Sequence, residues 1–162
     1  METASDSYEY IEQDGFYDTK GTETNINLTY REFALGIGYT FADVKQRFNG
    51  TVSEVPFSAK HRLNGIFSYE IRKNLRVGFE AAFTGKQRLS DSSVSRSFWI
   101  CNITAEKTWK HVSVFVNCEN ILNVRQTKYE KIYSGTVTDP SFNSLYAPVD
   151  GVVAHLGLKV RL

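Results

Sequence analysis

Apolar and polar residues alternate through the final stretch of the chain, residues 152–162, which reads V-V-A-H-L-G-L-K-V-R-L. Every even-numbered position in this stretch is aliphatic, whereas the odd-numbered positions include His155, Lys159 and Arg161. Successive side chains of a β-strand point to opposite faces of its sheet. A period of two residues therefore predicts a strand with one apolar and one polar face.

The same alternation recurs in three earlier pairs of segments, and each pair is joined by a short turn. The turns fall at residues 31–32, 72–74 and 110–111. In each hairpin the apolar positions of both strands fall on one face, as when the first turn pairs Tyr30 with Phe33. Longer connections separate the hairpins, and they cover residues 42–60, 86–97 and 119–149. The pattern predicts an all-β, antiparallel up-and-down meander of seven or eight strands.

The beginning of the chain lacks this regularity. Residues 1–21 are polar and poorly patterned, with a weak strand signal at 7–12 and a turn signal at Asp14-Gly15. We therefore divide the chain into a lead-in, 1–21, and one unit of strands and loops, 22–162. No apolar segment of a secretory signal occurs in residues 1–20, so we expect a C-terminal piece of a longer product.

The amino-acid composition is consistent with apolar and polar residues that alternate along the chain. Apolar residues make up 41 % and aromatic residues 14 % of the 162 residues, yet the mean hydropathy is only −0.33. The sequence contains no run of about 18 apolar residues, so it predicts no transmembrane helix. This does not exclude a membrane barrel, because barrel strands give a far weaker hydrophobic signal per segment. The formal net charge of +1 offers no general attraction to nucleic acid, and we predict no such partner.

The polar face carries charges of both signs, which suits a wide aqueous lumen. The residues predicted to face that lumen are Arg62, Glu70, Arg76, Glu80, Glu106, Glu119 and His155. The apolar face has aromatic residues such as Tyr39 and Trp99 near strand ends, as expected of the girdles of a membrane barrel. These compositions favour lipid over a protein core as the environment of the apolar face.

Four short strings resemble motifs in the late barrel strands of TonB-dependent outer-membrane receptors. V-P-F-S-A-K-H-R-L-N-G at 55–65 resembles the P-K-H-x-L-x-G that begins one strand, and F-T-G-K-Q at 83–87 resembles the Y-T-G-x-Q that ends one. E-N-I-L-N-V-R-Q at 119–126 is similar to the x-N-L-x-N-x-R-Q after the penultimate strand. Residues 146–162 resemble the closing strand, except that Leu162 stands where the family usually has an aromatic residue. The chain thus resembles the C-terminal β-barrel portion of this family.

The resemblance implies a place in a large transporter. The family fold is a 22-stranded barrel plugged by an N-terminal domain, so this chain would supply wall strands and three substrate-side loops. In isolation it would form an open, curved sheet. The implied activity is import of a bulky, scarce ligand (an iron chelate or siderophore, haem, cobalamin or a glycan) across the outer membrane of a Gram-negative bacterium, with the C-terminus in the periplasm. The implied partners are outer-membrane lipid, the plug, the remaining barrel strands, the TonB energy-coupling complex and the small-molecule ligand.

The sequence contains no arrangement of residues that predicts an enzyme. The three histidines lie at a loop–strand junction, a turn and a polar-face position, without a nucleophile or paired carboxylates. No catalytic residue, cofactor or metal site is predicted. On the loop side, the candidates for ligand contact are Arg47, Phe48, Phe57, Phe142 and Tyr146.

Two other functions fit the same alternation. One is a self-contained, eight-stranded outer-membrane barrel with a structural or adhesive role, closed by pairing residues 7–12 with 152–162. The other is a soluble β-barrel that carries an apolar ligand and turns its apolar face inward.

Overall fold

The computed structural model describes residues 14–72 and 74–161. Its main strands are β1 (Gly15–Tyr30), β2 (Phe33–Phe48), β3 (Thr51–Glu54), β4 (His61–Ile71), β5 (Leu75–Thr84), β6 (Phe98–Thr108) and β7 (Val112–Glu119). A short 3-10 helix (Gln126–Lys128), a small hairpin of β8 (Tyr133–Thr136) and β9 (Asp139–Phe142), and β10 (Val153–Val160) follow. In the described part of the chain no helix is long and apolar enough to cross a membrane.

The strands form one antiparallel sheet in the order β1-β2-β4-β5-β6-β7-β10. β3 pairs with the far end of β2, and β8 and β9 form a separate two-stranded sheet. Among the described residues β1 pairs only with β2, and β10 pairs only with β7, so the sheet has two free edges. The open antiparallel meander predicted from the sequence is confirmed.

The predicted hairpin registers are also confirmed. The pairs that define them are Tyr30 with Phe33, Ile71 with Leu75, and Ile103 with Cys118. A slip of one residue in any hairpin would move every apolar side chain of a strand to the wrong face, so the hydrophobic pattern fixes the register.

The register gives the sheet two chemically different faces. The apolar face carries the row Ile26, Ile37, Gly65, Ala81 and Cys101, in which each residue is paired with the next across five strands. The polar face is the opposite side and carries the residues between them. Cys101 and Cys118 both lie on the apolar face and are free thiols.

The structure corrects the sequence analysis at the loop end of the first hairpin. β1 begins at Gly15, where the sequence predicted a turn, and β2 continues to Phe48, inside the predicted 42–60 loop. A turn at Asn49-Gly50, where both residues have positive φ (49° and 73°), leads into β3. The sequence did not predict these segments, because the alternation of apolar and polar residues ends near Phe41. The pairing of the two backbones continues beyond that residue.

Two further differences concern the remaining connections. The predicted 119–149 loop contains the 3-10 helix and the β8–β9 hairpin. The weak strand signal at 7–12, and with it the pairing that would close a small barrel, lies outside the described residues.

No second layer covers the apolar face in the described structure. Among the described residues the buried apolar side chains are only Ala59, Leu89, Cys101 and Val124. By contrast, Leu28 is 58 % exposed and Leu156 is 77 % exposed, although both lie on regular strands. The described part of the sheet therefore has no hydrophobic core of its own, and its apolar face needs an apolar environment beyond these residues to be stable.

A charge in the middle of the apolar face is expected to destabilise the complete barrel in lipid vesicles. Ile37→Arg should destabilise the lipid-inserted state by about 2–4 kcal/mol, the usual cost of an arginine at the bilayer midplane. The measurement is the free energy of unfolding from vesicles in urea. Asn64→Arg, on the polar face beside the same row, is the matched control and should change stability little. Equal losses in the two variants would contradict the assignment of the faces.

Candidate functional site

The side chains predicted to face a lumen all lie on the polar face. The pairing register places Arg62, Glu70, Arg76, Glu80, Glu106, Glu119 and His155 there. Several of them contact one another across strands. Arg76 donates two hydrogen bonds to Glu70 at 2.9 and 3.1 Å, and His155 Nε2 lies 3.7 Å from Glu119 Oε1. These groups are exposed, so each pair contributes little to stability and mainly sets the electrostatics of the face.

The polar face is concave. A hollow of about 330 Å³ is lined by Glu70 of β4, Arg76 of β5, Glu106 of β6 and Lys159 of β10. Lys159 Nζ reaches Glu106 Oε1 at 3.1 Å past the intervening strand β7. Side chains from strands this far apart share one hollow because the sheet curves toward them. The apolar face is therefore the convex surface of the sheet.

Aromatic side chains form two rows on the apolar face. In the row near the short turns, Phe33 stacks on Tyr69 with ring centroids 4.4 Å apart. In the row near the long loops, the Tyr39 hydroxyl lies 2.8 Å from His61 Nδ1.

Phe83 and Trp99 continue the loop-side row, with ring centroids 5.1 Å apart. Residues 33–41 connect the two rows along β2 and span ~26 Å at about 3.3 Å per residue. Their number falls within the roughly 9–11 residues that a tilted strand needs to cross a bilayer.

The three long connections bond to one another at the loop end. The amide of Phe57 donates to the carbonyl of Arg88 at 2.8 Å, which joins the first connection to the second. The hydroxyls of Ser90 and Ser144 lie 2.9 Å apart and join the second to the third. The loop end is therefore one continuous rim.

Asn120 and Gln126 fold the third connection. The Asn120 side chain accepts from the amide of Val124 at 2.9 Å and donates to its carbonyl at 2.8 Å. Gln126 is only 1 % exposed; its Nε2 donates to Ser144 O at 2.8 Å and its Oε1 accepts from the amide of Tyr146 at 3.0 Å. The motif at 119–126 thus has a structural role, because its amides satisfy buried backbone groups of the rim.

A cavity of about 530 Å³ opens between the second and third connections. Its lining includes Lys86, Arg96, Phe98, Tyr129 and Tyr146. The Arg96 guanidinium lies over the Tyr129 ring at 5.2 Å, and burial together with a hydrogen bond to Glu130 raises the pKa of Tyr146 above its usual value. Aromatic and cationic groups surround one space, which suits an anionic ligand with an unsaturated or apolar body.

The predicted ligand-contact residues are only partly brought together. Tyr146 lines the loop-end cavity, whereas Phe57 and Phe142 are exposed elsewhere on the rim. Arg47 and Phe48 are adjacent on β2 and point to opposite faces; Arg47 lies 3.5 Å from Asp18 on the apolar face. The sequence analysis missed Arg96 and Tyr129, because no periodic pattern marks residues that meet only when two distant loops fold together.

A cluster of charged residues continues the apolar face beyond its loop-side aromatic row. This ionic cluster consists of two neighbouring sets of salt bridges: Asp18 with Lys20 and Arg47, and Asp43 and Glu54 with Lys45, Lys60 and Arg88. Hydrogen bonds from Lys45 and Lys60 lower the pKa of Asp43, and bonds from Lys60 and Arg88 lower that of Glu54. Within residues 14–72 and 74–161, no group of three or more His, Cys, Asp or Glu side chains is placed to hold a metal ion, and this includes the cluster.

Comparisons with solved structures define the class of fold. The chain is similar to a chain of the FpvAI–pyocin S2 complex, with a TM-score of 0.63, 19 % identity, and coverage of 89 % of this chain and 19 % of that one. It is also similar to the FrpB iron transporter from Neisseria meningitidis (F5-1 variant), with a TM-score of 0.59, 15 % identity, and coverage of 89 % and 24 %. No protein-family model and no curated protein matches the sequence.

These similarities confirm the expected fold. Both neighbours are TonB-dependent receptors, and this chain spans about a fifth to a quarter of their length. The chain has the fold of part of an outer-membrane transporter barrel, which is the architecture that its motifs resemble.

Removing the Gln126 side chain is expected to loosen the rim without affecting the wall. Gln126→Ala would leave buried backbone groups at Ser144 and Tyr146 without partners, at a cost of about 1–3 kcal/mol for each group. Hydrogen exchange of the amides at 144–147 should therefore accelerate at least tenfold. Thr127→Ala, an exposed neighbour, serves as the control. Unchanged exchange in the Gln126 variant would show that the side chain does not hold the rim together.

Proposed function

We propose that this chain forms part of the wall and the loop-side rim of a TonB-dependent outer-membrane transporter that imports a bulky, scarce ligand. The observation that carries the proposal is the uncovered convex apolar face, bounded by two aromatic rows, on a sheet with unpaired edges. Unpaired edge strands cannot lie in hydrocarbon, because their backbone groups would have no partners. The remaining strands of a larger barrel supply those partners.

The polarity of the sheet gives the orientation. Its short turns lie at one end and its long connections at the other, as in outer-membrane barrels with short periplasmic turns and long extracellular loops. The rim and its cavity then face the outside of a Gram-negative cell, and β10 ends on the periplasmic side. The concave polar face lines the lumen around the N-terminal plug, and the TonB complex couples transport to energy through that plug.

The rim cavity supplies the ligand contacts in this proposal. Tyr146, Tyr129 and Phe98 provide apolar surface, while Arg96 and Lys86 provide positive charge. Among iron chelates, haem, cobalamin and glycans, the anionic chelates of iron fit this lining best, and the neighbour FrpB is described as an iron transporter. Phe48, Phe57 and Phe142 are further contacts along the rim, whereas Arg47 belongs to the ionic cluster.

The two other functions lack this support. A self-contained barrel with an adhesive or structural role would have to close by pairing residues 7–12 with 152–162; within residues 14–72 and 74–161, β10 pairs only with β7 and β1 only with β2. A soluble carrier needs an inward-facing apolar surface, but the hollow lies on the polar face. The proposed protein is a transporter and does not act as an enzyme.

Uptake by cells that produce the complete barrel protein tests the proposal. Labelled ferric siderophores, haem, cobalamin and an oligosaccharide would be offered separately, with and without a protonophore. We expect energised uptake of a ferric chelate, reduced about tenfold by Arg96→Ala with Tyr146→Ala, since losing about 1.4 kcal/mol of binding lowers affinity by that factor.

Thr138→Ala, at the exposed tip of the β8–β9 hairpin, is the control and should transport normally. Equal accumulation of all four ligands in cells with and without the protein would contradict the proposal.

A further inference from the structure

The polar face of β1, β2 and β4 contains a lane that has no charged side chains. Neighbouring strands of a sheet lie about 4.8 Å apart, so ~10 Å separate the axes of β1 and β4. The lane consists of three rows of paired residues: Asn25 with Gly38 and Asn64, Asn27 with Gly36 and Ile66, and Thr29 with Ala34 and Ser68. We call this surface the uncharged lane.

The side chains of the lane project little from the sheet. On its central strand, β2, the lane has only Ala34, Gly36 and Gly38. A Cβ atom added at Gly38 would lie 2.8 Å from Asn25 Oδ1 and 2.6 Å from Asn64 Oδ1, so both amides lie over this buried glycine. Because these side chains are short or lie against the backbone, space remains above the lane.

The strands beside the lane carry charged groups on the same face. Glu80 of β5 continues the middle row, and His155 of β10 continues the row nearest the short turns. Closer to the turns, Arg76, Glu106 and Lys159 belong to the network of hydrogen bonds described above. These strands therefore offer fixed charges to whatever occupies the lumen, whereas the lane offers only neutral amides, hydroxyls and apolar groups.

The lane connects two hollows of the polar face. At its loop end, Arg62 follows Asn64 on the same face of β4 and lies in one row with Phe98, which lines the rim cavity. At its turn end, the last row of the lane and Arg72 line a hollow of about 390 Å³. A positively charged side chain therefore lies at each end of a neutral surface.

We propose that the ligand, an anionic chelate, passes along the uncharged lane on its way from the rim cavity through the lumen. This inference rests on the proposed function and adds to it the sector of the wall that the ligand follows. Arg62 attracts the anion to the entrance, and the negative charge of Glu80 disfavours the sector beside the lane. Passage requires sites that bind strongly enough to admit a ligand and weakly enough to release it, which neutral amides and hydroxyls provide.

The test compares obstruction inside and outside the lane in cells that produce the complete barrel protein. Thr29→Phe places an aromatic ring in the lane, and Thr104→Phe places the same ring in the same row outside it; both threonines are exposed. Thr29→Phe should lower energised uptake of a labelled ferric siderophore at least about tenfold, since a barrier raised by about 1.4 kcal/mol slows a step by that factor. Binding of the same siderophore in the presence of a protonophore should not change, and Thr104→Phe should transport normally.

A reversible block separates obstruction from misfolding. Thr29→Cys and Thr104→Cys variants would first be assembled and then labelled with a membrane-impermeant aromatic methanethiosulfonate, which a reductant removes. Labelling should lower uptake by the Thr29→Cys variant by a similar factor, the reductant should restore it, and the Thr104→Cys variant should transport normally throughout. The native thiols of Cys101 and Cys118 lie on the apolar face, and the unaltered protein treated with the same reagent controls for them.

Three outcomes would overturn the inference. They are normal uptake by the labelled Thr29→Cys variant, equal losses of uptake inside and outside the lane, and entry of a glycopeptide antibiotic into cells with Thr29→Phe. The last result would mean that the plug itself packs on the lane and has been displaced. If the unaltered protein imports the siderophore in the same experiments, the route would fail while the proposed function would stand.

Discussion

The structure depends on one constraint, namely that a single register must hold across seven strands. Each hairpin keeps its apolar residues on the same side, so the row from Ile26 to Cys101 is continuous. Backbone groups within the sheet are paired, but the apolar surface has no partner in the described chain. The inner strands therefore satisfy their backbone hydrogen bonds within the sheet, whereas the apolar face and the two edge strands need partners beyond the described residues before they could lie in hydrocarbon.

The sequence predicted the parts of the fold in which this constraint leaves a periodic signal. The hairpin pairs, such as Tyr30 with Phe33, followed from matching apolar positions across short turns. The extensions of β1 and β2 did not, because beyond Phe41 the outward-facing residues are charged and the alternation of apolar and polar residues ends. β8 and β9 were missed for a similar reason: both strands of that hairpin are exposed on all sides, so burial imposes no pattern.

The candidate site was less predictable than the wall. The seven residues predicted to face a lumen could be assigned to one face because strand parity fixes the side of each residue, and all seven share the polar face. The rim cavity forms where two connections distant in sequence meet, at contacts such as Arg96 over Tyr129. Because successive side chains of a strand point to opposite faces, Arg47 and Phe48 lie on different faces of the sheet although they are adjacent in sequence. The role that we assign to a residue therefore depends on the face of the sheet it occupies and on its distance along the strand from the short turns.

The central claim, that these strands are part of a larger barrel, is tested most directly by heat-modifiability. The 162 residues alone, and the same residues joined to the remaining strands, would be refolded in detergent and compared on a gel with and without heating. A closed barrel migrates as a compact band that shifts when heated. The account predicts this band only when the remaining strands are present. A compact, heat-labile band from the 162 residues alone would mean that they close by themselves, and it would contradict the account.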